Sequence, residues 1–162
     1  MKVQDIMTTE VSCCDPETNV AAAAELMWTR NCGALPVVEN EGRLAGIVTD
    51  RDLFIALGTN NRNAGDLPVG ALMKKEVSTC APGDDIRIAL QTMAHHQVQR
   101  LPVVDATGAL KGILSIDDIA LRADADGLSS GDVLKTIKAI WGRQIQRKAG
   151  DVQQSAPQRA VA

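Results

Sequence analysis

Two short segments of the chain combine a hydroxyl side chain with a carboxylate three residues later. They are Thr49-Asp50-Arg51-Asp52 and Ser115-Ile116-Asp117-Asp118, and each follows a glycine and two apolar residues. Such a segment can be a helix start, since a hydroxyl cap with a carboxylate at the third helical position is close to the capping-box pattern. It can also bind a nucleotide, with the hydroxyl and free amides holding a phosphate and the carboxylate accepting both ribose hydroxyls. A single copy would favour the cap.

The two segments are equivalent because the chain contains one unit twice. Val3–Leu57 and Val69–Ala123 align without a gap at an offset of 66 residues, with 18 identical pairs in 55. Duplication of this length indicates two copies of one supersecondary unit. The positions at which the copies agree, and those at which they differ, are therefore the places to look for function.

Each copy is predicted to be a β-α-β-β-α unit after a short lead-in, which makes the chain an α/β (α+β) protein. Apolar residues spaced as on one helix face and short β-branched runs separated by a glycine turn carry this prediction. In the first copy the lead-in is Val3–Met7, the strands are Val11–Cys14, Leu35–Val38 and Leu44–Val48, the first helix has its apolar face at Val20, Ala23, Ala24 and Met27, and the last helix is about Arg51–Leu57. In the second copy, the last helix is about Asp117–Ala123.

The predicted units are a first repeat (1–58), a linker (59–68), a second repeat (69–123), an amphipathic helix (124–150) and a disordered tail (151–162). The linker is rich in Asn, Gly and Asp, which is typical of a surface segment. The apolar stripe of the C-terminal helix must be covered, either by the duplicated core or by a second subunit. The sequence does not choose between these; the stripe consists of Val133, Leu134, Ile137, Ile140, Trp141 and Ile145.

Composition narrows the classes of function. The chain has 162 residues, 45% of them hydrophobic and 23% charged, with a net charge of −3. It has no apolar run of the ~18 residues that suggest a membrane span and no signal peptide, so we expect a cytoplasmic protein without a membrane partner. The negative charge and the aromatic content of 2% argue against a nucleic-acid partner.

No catalytic site and no metal site are predicted. The chain lacks a Gly-x-Ser-x-Gly elbow and a phosphate-loop lysine motif. Cys13 and Cys14 are neighbours on a predicted strand and point to opposite faces, and the adjacent His95 and His96 do not share a helix face. Two alternatives stay open: a purely structural dimerisation module, and a metal or redox sensor that would use Cys13, Cys32, Cys80 and His95 or His96.

The duplicated unit resembles a tandem pair of cystathionine β-synthase (CBS) domains, the Bateman module. The resemblance rests on two Leu-Pro-Val-Val-acidic strands and two Gly-apolar-x-Thr/Ser-x-x-Asp turns, and it covers Val3 to about Ala123. It implies a pseudo-twofold pair of repeats with two clefts that bind adenosine-containing ligands. It also implies a stand-alone regulatory sensor, commonly a homodimer, rather than an enzyme.

The resemblance assigns residues to each cleft. Thr49 would bind the phosphate and Asp52 the ribose in one cleft, and Ser115 and Asp118 would do so in the other. Each cleft also draws residues from the opposite repeat. From the opposite repeat, the Asp52 cleft would add Val69, Leu72, Lys74, Val98, Gln99 and Arg100, and the Asp118 cleft would add Val3, Ile6, Thr8, Cys32 and Gly33; Arg51, from the same repeat as Asp52, would also line the Asp52 cleft.

The assigned clefts differ in charge. Arg51, Lys74 and Arg100 of the Asp52 cleft correspond to Asp117, Thr8 and Ala34 of the other. Because charge-assisted bonds to phosphate are strong, we expect the Asp52 cleft to prefer phosphate-rich ligands and the Asp118 cleft to take a nucleoside, a monophosphate or nothing. The expected ligand is an adenine nucleotide (AMP, ADP or ATP), NAD or S-adenosylmethionine, and the regulated effector protein is unknown.

Overall fold

The computed structural model describes residues 1–124 and 128–154. Each repeat contains a β-hairpin and two helices, and a long helix follows the second repeat. The first repeat comprises α1 (Val20–Thr29), β1 (Ala34–Glu39), β2 (Arg43–Thr49) and α2 (Asp50–Thr59). The second comprises α3 (Ile86–His96), β3 (Arg100–Val104), β4 (Leu110–Ser115) and α4 (Ile116–Ala120), followed by α5 (Ser130–Gln154). Single 3-10 turns lie at Val3–Asp5, Ala64–Asp66 and Val69–Ala71.

In each repeat, the two central predicted strands form one antiparallel hairpin. In β1 and β2, Leu35 lies opposite Val48, and in β3 and β4, Leu101 lies opposite Leu114. All four side chains are fully buried. The predicted α+β class and the central strands are thus confirmed, and the hairpins place the hydroxyl residues Thr49 and Ser115 at the ends of β2 and β4.

The predicted strand Val11–Cys14 is wrong for all of its residues except the last one. Cys14 alone forms a parallel bridge to Val37: its N–H donates to the Pro36 carbonyl at 3.2 Å and its carbonyl accepts from Val38 at 2.8 Å. The next bond of a parallel ladder would need an N–H from Pro36, and proline has none. The bridge at Cys80 in the second repeat ends in the same way.

The two repeats exchange their lead-ins. Val3 is fully buried in the core of the second repeat, and Val69 is fully buried in the core of the first. Main-chain bonds hold the exchange, from Val69 N–H to the Thr18 carbonyl at 2.8 Å and from Val3 N–H to the Asp84 carbonyl at 2.9 Å. Leu67 is buried by the same contact, so the end of the predicted surface linker belongs to the core.

The apolar face of the first helix differs between the repeats. Val20, Ala23 and Met27 are buried in the first repeat as predicted, but Ala24 is exposed. In the second repeat the equivalent of Ala24 is Leu90, which is buried. In the second repeat α5 packs against α3, and Leu90 belongs to the same buried cluster as Val133 and Ile140 of α5.

Helix α5 packs within its own chain against α3 and α4. Val133 and Ile140 enter the core of the second repeat, while Leu134 and Trp141 remain exposed. The side chain of Ile145 lies outside the described residues. The helix continues to Gln154, so it includes the first residues of the predicted tail; residues 155–162 lie outside the described part of the chain. Along residues 1–124 and 128–154, no helix is both long enough and apolar enough to cross a membrane.

Candidate functional site

Both hydroxyl-carboxylate motifs form complete helix caps. The Thr49 hydroxyl accepts a bond from the Asp52 N–H at 3.2 Å and donates one to Asp52 Oδ2 at 2.6 Å. The Asp52 Oδ2 also accepts from the Thr49 N–H at 3.0 Å. Ser115 and Asp118 repeat these contacts at 3.1, 2.6 and 2.9 Å. The capping interpretation is therefore correct for both copies.

Capping uses only one oxygen of each carboxylate. The second oxygen of Asp52, Oδ1, lies 3.3 Å from the Lys74 ammonium. Among the described residues, no hydrogen bond or ion pair reaches the second oxygen of Asp118. A carboxylate can therefore cap its helix and still bind a ligand hydroxyl, and no lysine or arginine of the described residues forms an ion pair with Asp118.

Asp118 lines a cavity of about 900 Å³, which we call the Asp118 cavity. This volume lies within the range of small-molecule sites. Both repeats contribute to its wall. The first repeat supplies residues 8–13, Leu26 and residues 30–34, and the second supplies Arg100, Ile113, Ser115 and Asp118.

A close backbone contact forms one edge of this cavity. Thr8 and Ile113 exchange two main-chain hydrogen bonds, both at 2.9 Å. A Cβ atom at Gly112 would lie 2.7 Å from the Thr8 carbonyl, so any other residue would push the lead-in away. Gly46 plays the same role beside Lys74 in the other repeat. These two close backbone contacts explain why a glycine precedes each hydroxyl-carboxylate motif.

Five of the seven residues predicted for the Asp118 cleft line the cavity together. They are Thr8, Cys32, Gly33, Ser115 and Asp118. The other two, Val3 and Ile6, were wrongly placed, because the first 3-10 turn directs them into the core of the second repeat. Val3 is fully buried there and Ile6 packs against the same cluster.

The Asp52 cleft is assembled less completely. Thr49, Asp52 and Lys74 lie together, because Lys74 exchanges main-chain hydrogen bonds with Ile47 at 2.9 and 3.0 Å. The remaining assignments disperse. Val69 is fully buried in the first core, and Leu72 packs against that core. Val98 packs against the second core, and the carbonyl of Gln99 accepts a main-chain hydrogen bond from Ile116. Arg51 is exposed, and Arg100 lines the Asp118 cavity.

A smaller cavity of about 410 Å³ lies on the Asp52 side of the pair. Its wall corresponds, at the offset of 66, to part of the Asp118 cavity. Thr49, Asp52 and Lys74 do not line it; its residues are Glu76, Val77, Ser78, Thr79, Thr92 and His96. The motif and the cavity are therefore joined on the Asp118 side and separate on the Asp52 side.

The predicted charge difference between the clefts is wrong for Arg100. This residue lies opposite Ser115 in the β3 and β4 register, so it belongs to the wall beside its own repeat's motif. Arg30 lines the same cavity and was missed. At the offset of 66 residues its position is that of His96, which lines the smaller cavity. The Asp118 cavity thus contains two arginines as well as the acids Glu10 and Asp118.

The ionisation of Asp52 reflects its contacts. Burial raises the pKa of this carboxyl, but the hydrogen bonds from Thr49 and the positive charge of Lys74 outweigh that effect. The pKa of Asp52 therefore lies below its ordinary value of 3.8. At neutral pH the Asp52 carboxylate is ionised and paired with Lys74.

The cysteines fall into two environments. Burial raises the pKa of Cys14 to about 11 and that of Cys80 to about 12, so both thiols are protonated and unreactive at neutral pH. Cys13 and Cys32 instead line the Asp118 cavity. Within the described residues, no three His, Cys, Asp or Glu side chains are grouped so that they could hold a metal ion.

Comparison with known proteins gives a consistent family match. The CBS domain model matches residues 3–59 and again residues 69–123. The CBS domain-containing protein YhcV of Bacillus subtilis (strain 168) is 38% identical over 135 residues, which cover 83% of this chain and 94% of YhcV.

Two solved structures illustrate what similar folds contain. Hypoxic Response Protein I, crystallised with two coordinated zinc ions, is 31% identical with a TM-score of 0.69, over 75% of this chain and 98% of the other. CBSX2 in complex with AMP is 28% identical with a TM-score of 0.65, over 74% and 93% of the two chains.

Proposed function

The chain belongs to the CBS domain family as a tandem pair of these domains, and from this premise we propose that it is a regulatory protein whose Asp118 cavity binds an adenine nucleotide. One observation carries the proposal: Asp118, whose cap of α4 uses only Oδ2, lines a cavity built by both repeats. A carboxylate oxygen of this kind can accept bonds from ribose hydroxyls.

The charges on the cavity wall favour a ligand that carries phosphate. Arg30 and Arg100 both line the cavity, and guanidinium groups form strong, often bidentate bonds to phosphate. Val11, Leu26 and Ile113 add apolar wall on which an adenine ring can pack. AMP, ADP, ATP and NAD all present a ribose and a phosphate, whereas S-adenosylmethionine has no phosphate and offers the arginines only its single carboxylate. The complex of the similar CBSX2 with AMP supports this choice.

We propose that the Asp52 cleft is the weaker site. Lys74 competes with a ribose for Asp52, although its side chain is 62% exposed. An exposed ion pair contributes only about 0–1 kcal/mol, so Lys74 weakens ribose binding without abolishing it. This reverses the preference that we expected from the sequence, because Arg100 lies in the other cavity.

The regulatory output requires contact between the ligand and a protein surface. Asn31, Cys32 and Gly33 line the Asp118 cavity and also an external groove between α1 and α2. A ligand shifts a conformational equilibrium only by its differential affinity for the two states, and this shared wall is where such a difference can reach a partner. An effector protein, a homodimer and a cytoplasmic location, all expected from the sequence, complete the proposal.

Calorimetric titration with AMP and with adenosine tests the proposed site. We expect one dominant site per chain and about tenfold tighter binding of AMP than of adenosine, the scale of one hydrogen bond to a charged group. In the double variant Arg30→Ala/Arg100→Ala this advantage should disappear while adenosine affinity is kept. Two equal AMP sites, or no binding of either compound, would contradict the proposal.

A zinc-responsive role is the second candidate. It is favoured by the zinc ions in the structure of Hypoxic Response Protein I and by the presence of Cys13 and Cys32 in one cavity. The described residues offer no third ligand in place, so metal binding would need a rearrangement. Metal analysis of the purified protein, repeated on Cys13→Ser/Cys32→Ser, distinguishes the candidates, since only the zinc role predicts bound metal that the variant loses.

A further inference from the structure

A short segment, residues 97–100, connects helix α5 with the wall of the Asp118 cavity. At one end, Gln97 Nε2 donates a hydrogen bond to the Ala139 carbonyl of α5 at 3.1 Å. At the other end, Arg100 begins β3 and lines the cavity. Only two residues separate these contacts along the chain. A displacement of α5 can therefore reach one of the two arginines of the cavity.

The two residues in between are held by contacts of their own. Val98 packs against the same buried cluster that α5 enters. The carbonyl of Gln99 accepts a hydrogen bond at 2.9 Å from the N–H of Ile116, the first residue of α4. Ile116 lies two residues before Asp118. One short segment therefore joins α5 to both ligand-binding elements of the second repeat, the start of α4 and the arginine at the start of β3.

Comparison with the first repeat isolates what the side chain of Gln97 adds. The equivalent residue, Asn31, has the same left-handed backbone, with a φ of 50° against 56° for Gln97. The hydrogen bond that Gln99 accepts also has a counterpart, since the Gly33 carbonyl accepts one from the Asp50 N–H at 3.1 Å. Asparagine is among the residues that tolerate a left-handed backbone best, and glutamine is not. The first repeat thus has the usual residue for this turn, and the second has a longer one whose amide reaches α5.

We infer that Gln97 is a positioning residue for the nucleotide site, and the inference rests on the proposed function because it concerns the same site. A binding group keeps its geometry only when the residues that support it are themselves fixed. The bond from Gln97 to α5 fixes the segment 97–100 and so keeps Arg100 in place for the ligand phosphate. Helix α5 lies beyond residue 123, where the family match ends, so this control belongs to this chain rather than to the duplicated unit.

The link between α5 and the nucleotide acts in both directions. If the docked position of α5 favours AMP binding, AMP must favour that position by the same factor. The carboxylate side of the site contributes as well, since α4, which carries Asp118, also packs against α5. Binding of AMP should therefore make α5 open less often from the rest of the second repeat.

Calorimetric titration of Gln97 variants with AMP and with adenosine tests the inference. In Gln97→Ala the preference for AMP over adenosine should fall by about threefold, the scale of one neutral hydrogen bond, while adenosine affinity is kept. Gln97→Asn should behave in the same way, because it suits the left-handed turn but has a side chain shorter by one methylene. Gln91→Ala, which removes an exposed glutamine from α3, is the matched control and should keep the full preference.

Three results of these titrations would overturn the inference. They are an unchanged preference for AMP in both Gln97 variants, an equal fall in Gln91→Ala, and an equal loss of AMP and adenosine affinity. The last result would mean that Gln97 supports the fold and not the phosphate site. A wild type without a preference for AMP would overturn the proposed function together with this inference, so the wild-type titration separates the two failures.

Hydrogen exchange of α5 gives an independent measurement, because exchange reports how often a helix opens. In the wild type, saturating AMP should slow exchange of the amides of residues 130–142 about threefold more than saturating adenosine does, the factor that reciprocity requires. In Gln97→Ala this difference between the two ligands should disappear. Equal exchange of these amides with AMP and with adenosine in the wild type would contradict the inference.

Discussion

The Asp52 and Asp118 sides of the molecule share one local design and differ in what surrounds it. Corresponding hydrogen bonds in the two caps agree in length to within 0.1 Å. The opposite wall, however, presents Lys74 to Asp52 and Thr8 to Asp118. The same motif is therefore paired with Lys74 in the first repeat and lines a large cavity in the second. A binding motif defines a site only together with the segment that faces it.

The arginines extend this contrast. Arg30 and Arg100 line the Asp118 cavity, and the equivalent residues on the other side are His96 and Ala34. The Asp118 side therefore combines an available carboxylate oxygen with two cations, which is the set that a nucleotide needs. On the Asp52 side, the cation Lys74 forms an ion pair with the carboxylate itself. The residues that face the two motifs therefore differ in charge and in position.

The largest expected effect separates the two carboxylates. Asp118→Ala should weaken AMP binding roughly 10- to 150-fold, the scale of a hydrogen bond to a charged group. Asp52→Ala is the matched control, because it loses the same cap, and should change the affinity of the dominant site by less than about twofold. Calorimetry on both variants, with melting temperatures to confirm folding, makes the measurement. Equal losses in the two variants would break the comparison.

A smaller effect follows from exchanging the facing residues. Lys74→Thr should strengthen adenosine binding at the Asp52 cleft by up to about fivefold, since an exposed ion pair contributes about 0–1 kcal/mol. Thr8→Lys should weaken adenosine binding in the Asp118 cavity by a similar factor. Adenosine is the right probe because it lacks a phosphate that a new lysine could attract. If neither exchange changed adenosine affinity, Lys74 would not be what distinguishes the clefts.

The smallest effect concerns pH. Because the pKa of Asp52 is lowered in the folded protein, its ionised form stabilises the fold. This contribution is fully present above the ordinary pKa of 3.8 and is lost as pH falls through the lower pKa of the folded state. Asp52→Asn should therefore be less stable than wild type at pH 7, and the gap should narrow on acidification. Urea denaturation of both proteins at pH 7 and at acidic pH measures the difference in their free energies of unfolding. A difference that does not change with pH would contradict the assignment.

Local features could be predicted from the sequence because neighbouring residues determine them. The caps at Thr49 and Ser115 depend on contacts within three residues, and the central strands follow from short β-branched runs. The extra strand at Val11–Cys14 failed because pairing depends on a distant proline, Pro36, that cannot donate a bond. Arg100 was misplaced for a related reason, since the register of β3 on β4 decides which wall it joins.

The amino-acid sequence by itself determined the duplication, the two helix caps and the apolar faces, because each depends on residue type and short spacing. Tertiary structure decided the rest. It placed each lead-in in the core of the other repeat, brought Lys74 next to Asp52, and packed α5 against the second repeat. These outcomes depend on contacts between residues far apart in the chain, whose energies are decided by which surfaces meet. Two copies of one sequence pattern therefore became one motif that lines a large cavity and one motif that is paired with Lys74.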